Sequence, residues 1–271
     1  MSEVVVVTGI GGMGVVAARR LGNGRQLVIA DFDGAKLAAE GDKLRADGFA
    51  VTTVEVDVSD RGSVKRLVDA AAALGTLRAL VHTAGLSPTM ASGERVLQVD
   101  LLGTEYVLEA FTEIVTEGTV AVCIASMAGY MATLTSEQQA ALITAETDDL
   151  LGIIGPVDGM DFGATYSIAK RVNHLRVERF AGIWGPKGGR VVSISPGIIS
   201  TPMGQKEITE GSGEQMQGML DLSPVPRIGT AEDIGAAVQW LCGPEASFVS
   251  GCDLRVDGGV TGAIHAMGVG L

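Results

Sequence analysis

The chain has 271 residues, 46% of them hydrophobic, and a formal net charge of −12. That acidic balance, with no basic stripe to offset it, argues against a nucleic-acid or anionic-membrane partner, and no uninterrupted apolar run approaches the ~20 residues of a membrane span. Its 38 glycines show no period and no Pro/Ser-rich linker divides the chain, which excludes a repeat or disordered protein and favours one packed domain over 1–271.

Short β-branched runs alternate with longer Ala/Leu-rich amphipathic stretches. Val4–Thr8 predicts a first strand; Met1-Ser2-Glu3 before it lacks the basic region and long apolar run of a signal peptide, so a cytoplasmic protein is expected. Gly9-x-Gly11-x-x-Gly14 follows and opens a helix, a pattern that lets backbone approach a pyrophosphate at the helix N-terminus. The second strand, Gln26–Ala30, ends beside Asp31, about 20 residues past the glycines, where a carboxylate can accept adenosine ribose hydroxyls. An acid there repels a 2′-phosphate and favours NAD over NADP; Lys36 is the nearest base downstream. Asp33 is placed to cap the helix over Ala35–Ala46.

Strands are then predicted at Ala50–Val56, Leu77–His82, Thr119–Ala125, Arg190–Ile194 and Leu254–Val256, and helices at Ser63–Ala73, Arg95–Val115, Tyr166–Trp184 and Ala231–Leu241. Strands apolar on both faces and separated by helices predict a buried parallel sheet, doubly wound, with ligands beyond the carboxyl ends of its strands. Cys123, Cys242 and Cys252 are odd in number and widely spaced, so reduced structural thiols are expected; no His/Cys/Asp/Glu group has metal-ligand spacing, and no metal is expected.

Tyr166 and Lys170 stand four residues apart on a predicted helix and so share a face. A neighbouring ammonium favours phenolate. Bringing a phenol from about 10 to near neutrality requires roughly 4 kcal/mol, and one unit charge at about 4 Å supplies as much at an effective dielectric of about 20. The pair can serve as a tyrosine acid/base.

With Ser126 at the end of a strand upstream, this order of motifs resembles the short-chain dehydrogenase/reductase family over nearly the whole chain. The resemblance implies a Rossmann-like α/β fold, NAD as cofactor and a small-molecule substrate. Ser126 would polarise a carbonyl, Tyr166 would transfer the proton, and Lys170 would lower the tyrosine pKa and bind nicotinamide ribose. It assigns cofactor contacts to Gly9, Ile10, Gly11, Gly12, Met13, Asp31, Phe32, Asp57, Val58, Thr83, Ala84, Gly85, Tyr166, Lys170, Pro196, Gly197, Ile199 and Thr201. The glycine loop is one residue tighter than the family's, leaving open whether Gly11 or Gly12 faces the phosphates. Asp57 resembles the aspartate that binds the adenine amino group, with a helix cap among Asp57–Asp60 as the alternative. His82-Thr83 replaces two asparagines, and His82 reads as a structural strand-end residue.

Asp100 occupies the place of an asparagine that holds a water in the family's proton relay; a carboxylate there raises the Lys170 pKa and offsets part of its effect on Tyr166. Tyr166 stands 40 positions after Ser126, and the 39 residues between them form an insertion, 127–165, resembling that of 3α-hydroxysteroid dehydrogenase/carbonyl reductases. Its 135–151 part is helical in composition, with Thr135 or Ser136 as cap. It could cover the substrate pocket, alter a helix-to-helix dimer contact, or be a plain solvated excursion. Residues 198–228 form a lid, and Met203, Met216 and Met219 there, with Met131 and Met160, are candidates to line an apolar pocket. His174 is expected at a helix–helix contact, and the apolar C-terminus on the lid or across a subunit boundary. The expected function is an NAD-dependent secondary-alcohol dehydrogenase or ketone reductase, a homodimer or homotetramer, with a steroid- or terpenoid-like substrate as candidate. The alternatives are a sugar-nucleotide epimerase or dehydratase, for which little chain remains beyond Pro196, and a non-catalytic NAD sensor or scaffold.

Overall fold

The computed structural model describes residues 2–87, 90–157, 159–210 and 213–268. In chain order the first half contains β1 (Glu3–Thr8), α1 (Gly12–Leu21), β2 (Gln26–Asp31), α2 (Gly34–Ala46), β3 (Ala50–Glu55), α3 (Arg61–Leu74), β4 (Thr76–His82), α4 (Gly93–Val96), α5 (Gly103–Phe111) and β5 (Val120–Ile124). The second half adds α6 (Ser136–Thr144), α7 (Leu150–Ile154), α8 (Phe162–Trp184), β6 (Arg190–Pro196), β7 (Ile199–Ser200), α9 (Pro202–Glu210), α10 (Gly213–Leu222), β8 (Gly229–Thr230), α11 (Ala231–Leu241), β9 (Asp253–Val256) and α12 (Val260–Ala266).

Seven strands form one parallel sheet in the order β3-β2-β1-β4-β5-β6-β9. Alternation along β1 feeds two cores: Val4 and Val6 pack with α3, α5 and α8 residues such as Leu67, Phe111 and Trp184. Val5 and Val7 pack with α1, α2 and α11 residues such as Ala17, Leu44 and Val238. Both faces are therefore dry, which is why the strand sequences read as continuous apolar runs. The order reverses between β2-β1 and β1-β4, so the ends of β1 and β4 open a crevice at the switch point.

The predicted single helix over Arg95–Val115 is corrected. A π-helical turn at Leu97–Leu102 separates α4 from α5, and a 3-10 turn at Thr112–Ile114 ends the run. Thr135, not Ser136, caps α6, with Gln138 returning the bond in a capping box. The stretch between Ser126 and Tyr166 is no loose excursion: Leu142, Leu150 and Ile154 are buried against Leu101, Ile168 and Val172 of the π turn and α8. Its anchor is Arg176, whose buried guanidinium holds Glu105 Oε2 at 2.6 Å and the carbonyls of Leu142 and Ala145. The C-terminal helix α12 packs against α10 and the segment after Ser126, with Val260 and Ile264 against Met127, Met131 and Met219; residues 269–271 of the apolar C-terminus lie outside the described residues.

Candidate active site

The glycine turn is shaped by contact. Gly9 has φ +81, and a Cβ there would run into the Ala84 backbone; one on Gly14 would strike Gly9 O. Gly11 faces open space along the crevice, whereas a Cβ on Gly12 would meet Thr201, so it is Gly11 whose backbone borders the cleft. Thr83 ties the turn from below, its hydroxyl donating to Gly9 O at 2.5 Å. Ile10 is turned inward: its side chain is in the core and its N–H donates to Asp31 Oδ2 at 2.8 Å. Met13 points the other way, into the cavity that Ser126 and Tyr166 also line.

A cleft of about 510 Å³ runs from this turn past Asp31, Phe32, Asp57, Val58, Ala84 and Gly85. Asp31 also accepts the Asp33 N–H and an ion pair from Lys36 Nζ at 3.1 Å, so the one base nearby partly neutralises it. Asp33 caps α2 through the Lys36 N–H. Asp57 is not a cap; Asp60 caps α3. Instead Asp57 Oδ1 accepts the Ser59 N–H and hydroxyl, and Oδ2 accepts Arg95 Nη2 at 3.2 Å. Burial raises its carboxyl pKa, but these bonds outweigh burial and hold it below the ordinary range. Arg95, 38 residues away in sequence, had no signal marking it as Asp57's partner.

His82 is the structural residue expected. It is fully buried between Thr8 Oγ1 at 2.7 Å and Thr104 Oγ1 at 3.1 Å, and burial pushes its pKa down to about 3, so the ring is neutral.

Ser126 and Tyr166 both border a second cavity of about 660 Å³, beside Pro196, Gly197, Ile199 and Thr201. The backbone of Ser126 is extended, and its hydroxyl accepts the Ala128 N–H at 3.1 Å as the cap of a 3-10 turn, Met127–Met131. Lys170 Nζ is buried, 5.4 Å from the Tyr166 ring centre and 3.3 Å from Ile124 O, to which it donates. Asp100 Oδ2 lies 3.2 Å from the ammonium, close enough for an ion pair although off the line of a well-aligned hydrogen bond. Asp100 Oδ1 accepts the Leu86 N–H at 2.7 Å. Burial works against the Lys170 charge, but the Asp100 carboxylate and Tyr166 outweigh it and raise the pKa above its ordinary value. Burial in turn raises the Asp100 carboxyl, with Lys170 pulling the other way. The carboxylate at 100 thus meets the lysine directly.

Met13, Met127, Met131, Met203, Met216 and Met219 line the cavity. Met160 does not; it is exposed on the outer surface. His174 packs against the 3-10 turn at Met127–Met131 and also meets Ser195 of β6. The three thiols are unbridged, Cys123 and Cys242 buried and Cys252 exposed. Among the described residues no group of three His, Cys, Asp or Glu is arranged to hold a metal, and no helix is long and apolar enough to cross a membrane.

A family model described as enoyl-(acyl carrier protein) reductase matches residues 8–261. A short-chain dehydrogenase/reductase, bsc3, of Alternaria brassicicola is 34% identical over 260 residues, 94% of each chain. Cis-4-hydroxycyclohexanecarboxylate dehydrogenase of Sinomonas cyclohexanicum is 30% identical over 271 residues, 96% of each. The solved structure of a short-chain type dehydrogenase/reductase from Mycobacterium ulcerans superposes with a TM-score of 0.77 at 27% identity, covering 98% of this chain and 93% of that one. Relatives named as dehydrogenases and reductases along their whole length favour neither the epimerase nor the non-catalytic alternative. The crevice at the β1/β4 switch point, the serine, tyrosine and lysine gathered beside it and the match from residue 8 to 261 lead to one conclusion: the chain is an oxidoreductase belonging to the short-chain dehydrogenase/reductase family.

Proposed function

We propose that the protein is an NAD-dependent dehydrogenase that interconverts a secondary alcohol and its ketone, on a bulky apolar substrate of steroid or terpenoid build. The observation that carries this reading is Ser126 and Tyr166 facing one methionine-lined cavity, with the buried Lys170 ammonium 5.4 Å from the phenol ring. In this reading the substrate oxygen sits between the two hydroxyls. Ser126 donates a hydrogen bond to it, and Tyr166 gives it a proton in reduction or takes one in oxidation. Lys170 holds positive charge beside the phenol and lowers the cost of phenolate. Asp100 keeps that ammonium charged and ties it from α8 to the π turn. Thioether walls adapt to irregular apolar shapes and offer no charge to a carboxylate or phosphate.

The neighbouring cleft fits a dinucleotide: Gly11 offers unshielded backbone, and Asp31, Phe32 and Asp57 follow in the order its adenosine half requires. A nicotinamide ring bound beside Pro196 and Thr201 would supply or accept the hydride at the substrate carbon. Asp31 supports NAD over NADP, with Lys36 moderating the preference. One domain over 1–271, with a 127–165 insertion and a 198–228 lid, assembled as a homodimer or homotetramer in the cytoplasm, completes the reading.

The test follows reduced-nicotinamide absorbance across a panel of secondary alcohols, steroids included, with NAD and NADP in parallel. Turnover is expected with NAD, about tenfold better than with NADP for one like-charge contact near the surface, and is lost in Tyr166→Phe. Full activity in Tyr166→Phe overturns the assigned chemistry, and an NADP preference overturns the role of Asp31.

A further inference from the structure

Beneath the turn that follows Ser126 lies a buried polar network that the chemistry above leaves unused. Tyr130, near the far end of that turn, donates its hydroxyl to Asp253 Oδ2 at 2.9 Å, joining segments 123 residues apart. Asp253, on β9, takes the Ser193 hydroxyl on Oδ1 at 2.6 Å. His174 Nε2 stands 3.8 Å from the same oxygen and 2.7 Å from Ser195 Oγ. The Tyr130 and His174 rings lie 4.8 Å apart between centroids. Gly129 lets the turn settle directly onto α8, since a Cβ there would collide with His174 and the Arg171 backbone.

The network joins both walls of the catalytic cavity. Ser126 Oγ accepts the Ala128 N–H, so the serine hydroxyl takes its direction from the turn. Ser195 is the residue before Pro196, where β6 gives way to the loop bordering the cavity opposite. Burial lifts the Tyr130 phenol well above its ordinary range, and Asp253 adds to this, so the hydroxyl remains a donor throughout the working pH range. Burial likewise pushes the His174 imidazole down to about 4, with Asp253 and the Ser126 backbone pulling the other way. The half-buried Tyr130 hydroxyl is tied by these bonds to the buried Asp253, Ser193, Ser195 and His174 side chains, which favours one arrangement of the turn.

We propose that Tyr130, acting through Asp253 and His174, is a positioning residue that holds the Ser126 turn and so aims the serine hydroxyl at the substrate oxygen. The proposal rests on the reading of Ser126 as the polarising group.

The test is a double-mutant cycle on whichever alcohol or ketone the panel shows to be turned over fastest. Tyr130→Phe removes one hydroxyl and is expected to lower kcat about tenfold or more, as a small misplacement of a reacting group does, with dinucleotide KM changing less than about twofold. In a Ser126→Ala background the same change is expected to have less than about a twofold effect, because no aimed hydroxyl remains. Asp253→Asn, which keeps an acceptor for Tyr130, is expected to retain most of the rate that Asp253→Ala loses. An equal factor in both backgrounds, or no loss in Tyr130→Phe, overturns the proposal. Full kcat in Ser126→Ala alone, or no turnover by the unaltered protein, overturns instead the reading on which it rests. Should Tyr130→Phe melt too early to assay, Ser195→Ala cuts the His174 side of the network and is run through the same cycle.

Discussion

Asp100 and Lys170 make the most consequential pair of side chains in the molecule, because a carboxylate 3.2 Å from the ammonium dilutes the field that reaches Tyr166. Asp100→Asn keeps an acceptor for the Leu86 N–H and removes the negative charge. The acidic limb of the pH–rate profile is therefore expected to move to lower pH by about one unit, and an unmoved limb refutes the coupling. His82 supplies a second pH effect, on stability. Its pKa falls from an ordinary 6.5 to about 3 in the folded state, so between those values the unfolded chain binds the extra proton. Stability is full above pH 6.5 and is lost as the pH falls toward 3, by at most about 1.4 kcal/mol per unit, or about 2 kcal/mol between pH 7 and 5. Urea unfolding at the two pH values should show a clearly smaller loss in His82→Asn; an equal loss means the imidazole is not the source. Tyr166 and Lys170 share a helix face because their spacing is local, whereas Ser126, 40 positions upstream, reaches the same cavity through the end of β5. The link between Tyr130 and Asp253 is not local, since only the fold joins two positions 123 residues apart, and the bond from the Ile10 N–H to the strand-end carboxylate of Asp31 likewise depends on the fold.

At the scale of elements, the central strands were legible because burial on both faces leaves a β-branched apolar run, and the half-buried outer strands β3 and β9 because they sit between clear helical or turn segments. The break in the helix after Arg95 was not. The sequence from Arg95 to Phe111 has continuous helical preference, and the π turn at Leu97–Leu102 is tied down by tertiary bonds: Asn173 and Thr104 both donate to Asp100 O, while Leu86 and Lys170 meet its carboxylate. The stretch between Ser126 and Tyr166 hangs on Arg176 in the same way. Removing the guanidinium in Arg176→Met leaves Glu105 buried without its partner, an expected loss of about 3–5 kcal/mol read as a lower urea midpoint. Adding Glu105→Gln should recover most of it, and no recovery would show that the carbonyl contacts to Leu142 and Ala145 dominate.

For the whole molecule, the packing of α6 and α7 on α8 restricts association. Leu142, Leu150 and Ile154 already occupy that flank, so a second copy approaching there meets this chain's own helices. On the α11 and β9 side the sheet ends in an edge, and Phe248 and Trp240 are exposed nearby in sequence. A homodimer or homotetramer built on that side predicts that Phe248→Ser lowers the mass seen by sedimentation; an unchanged mass puts the contact elsewhere. Charge and composition bear on the kind of partner but have no means of choosing a face, because exposure is decided by the fold.

Met203, in the first turn of α9, borders both the cleft beside Asp31 and the methionine-lined cavity. One side chain that forms part of two rooms makes their occupancies interdependent. Whatever fills the first room therefore shifts the affinity of the second, and the second shifts the first by the same factor, so affinity measured at either room with the other empty and then filled should change equally.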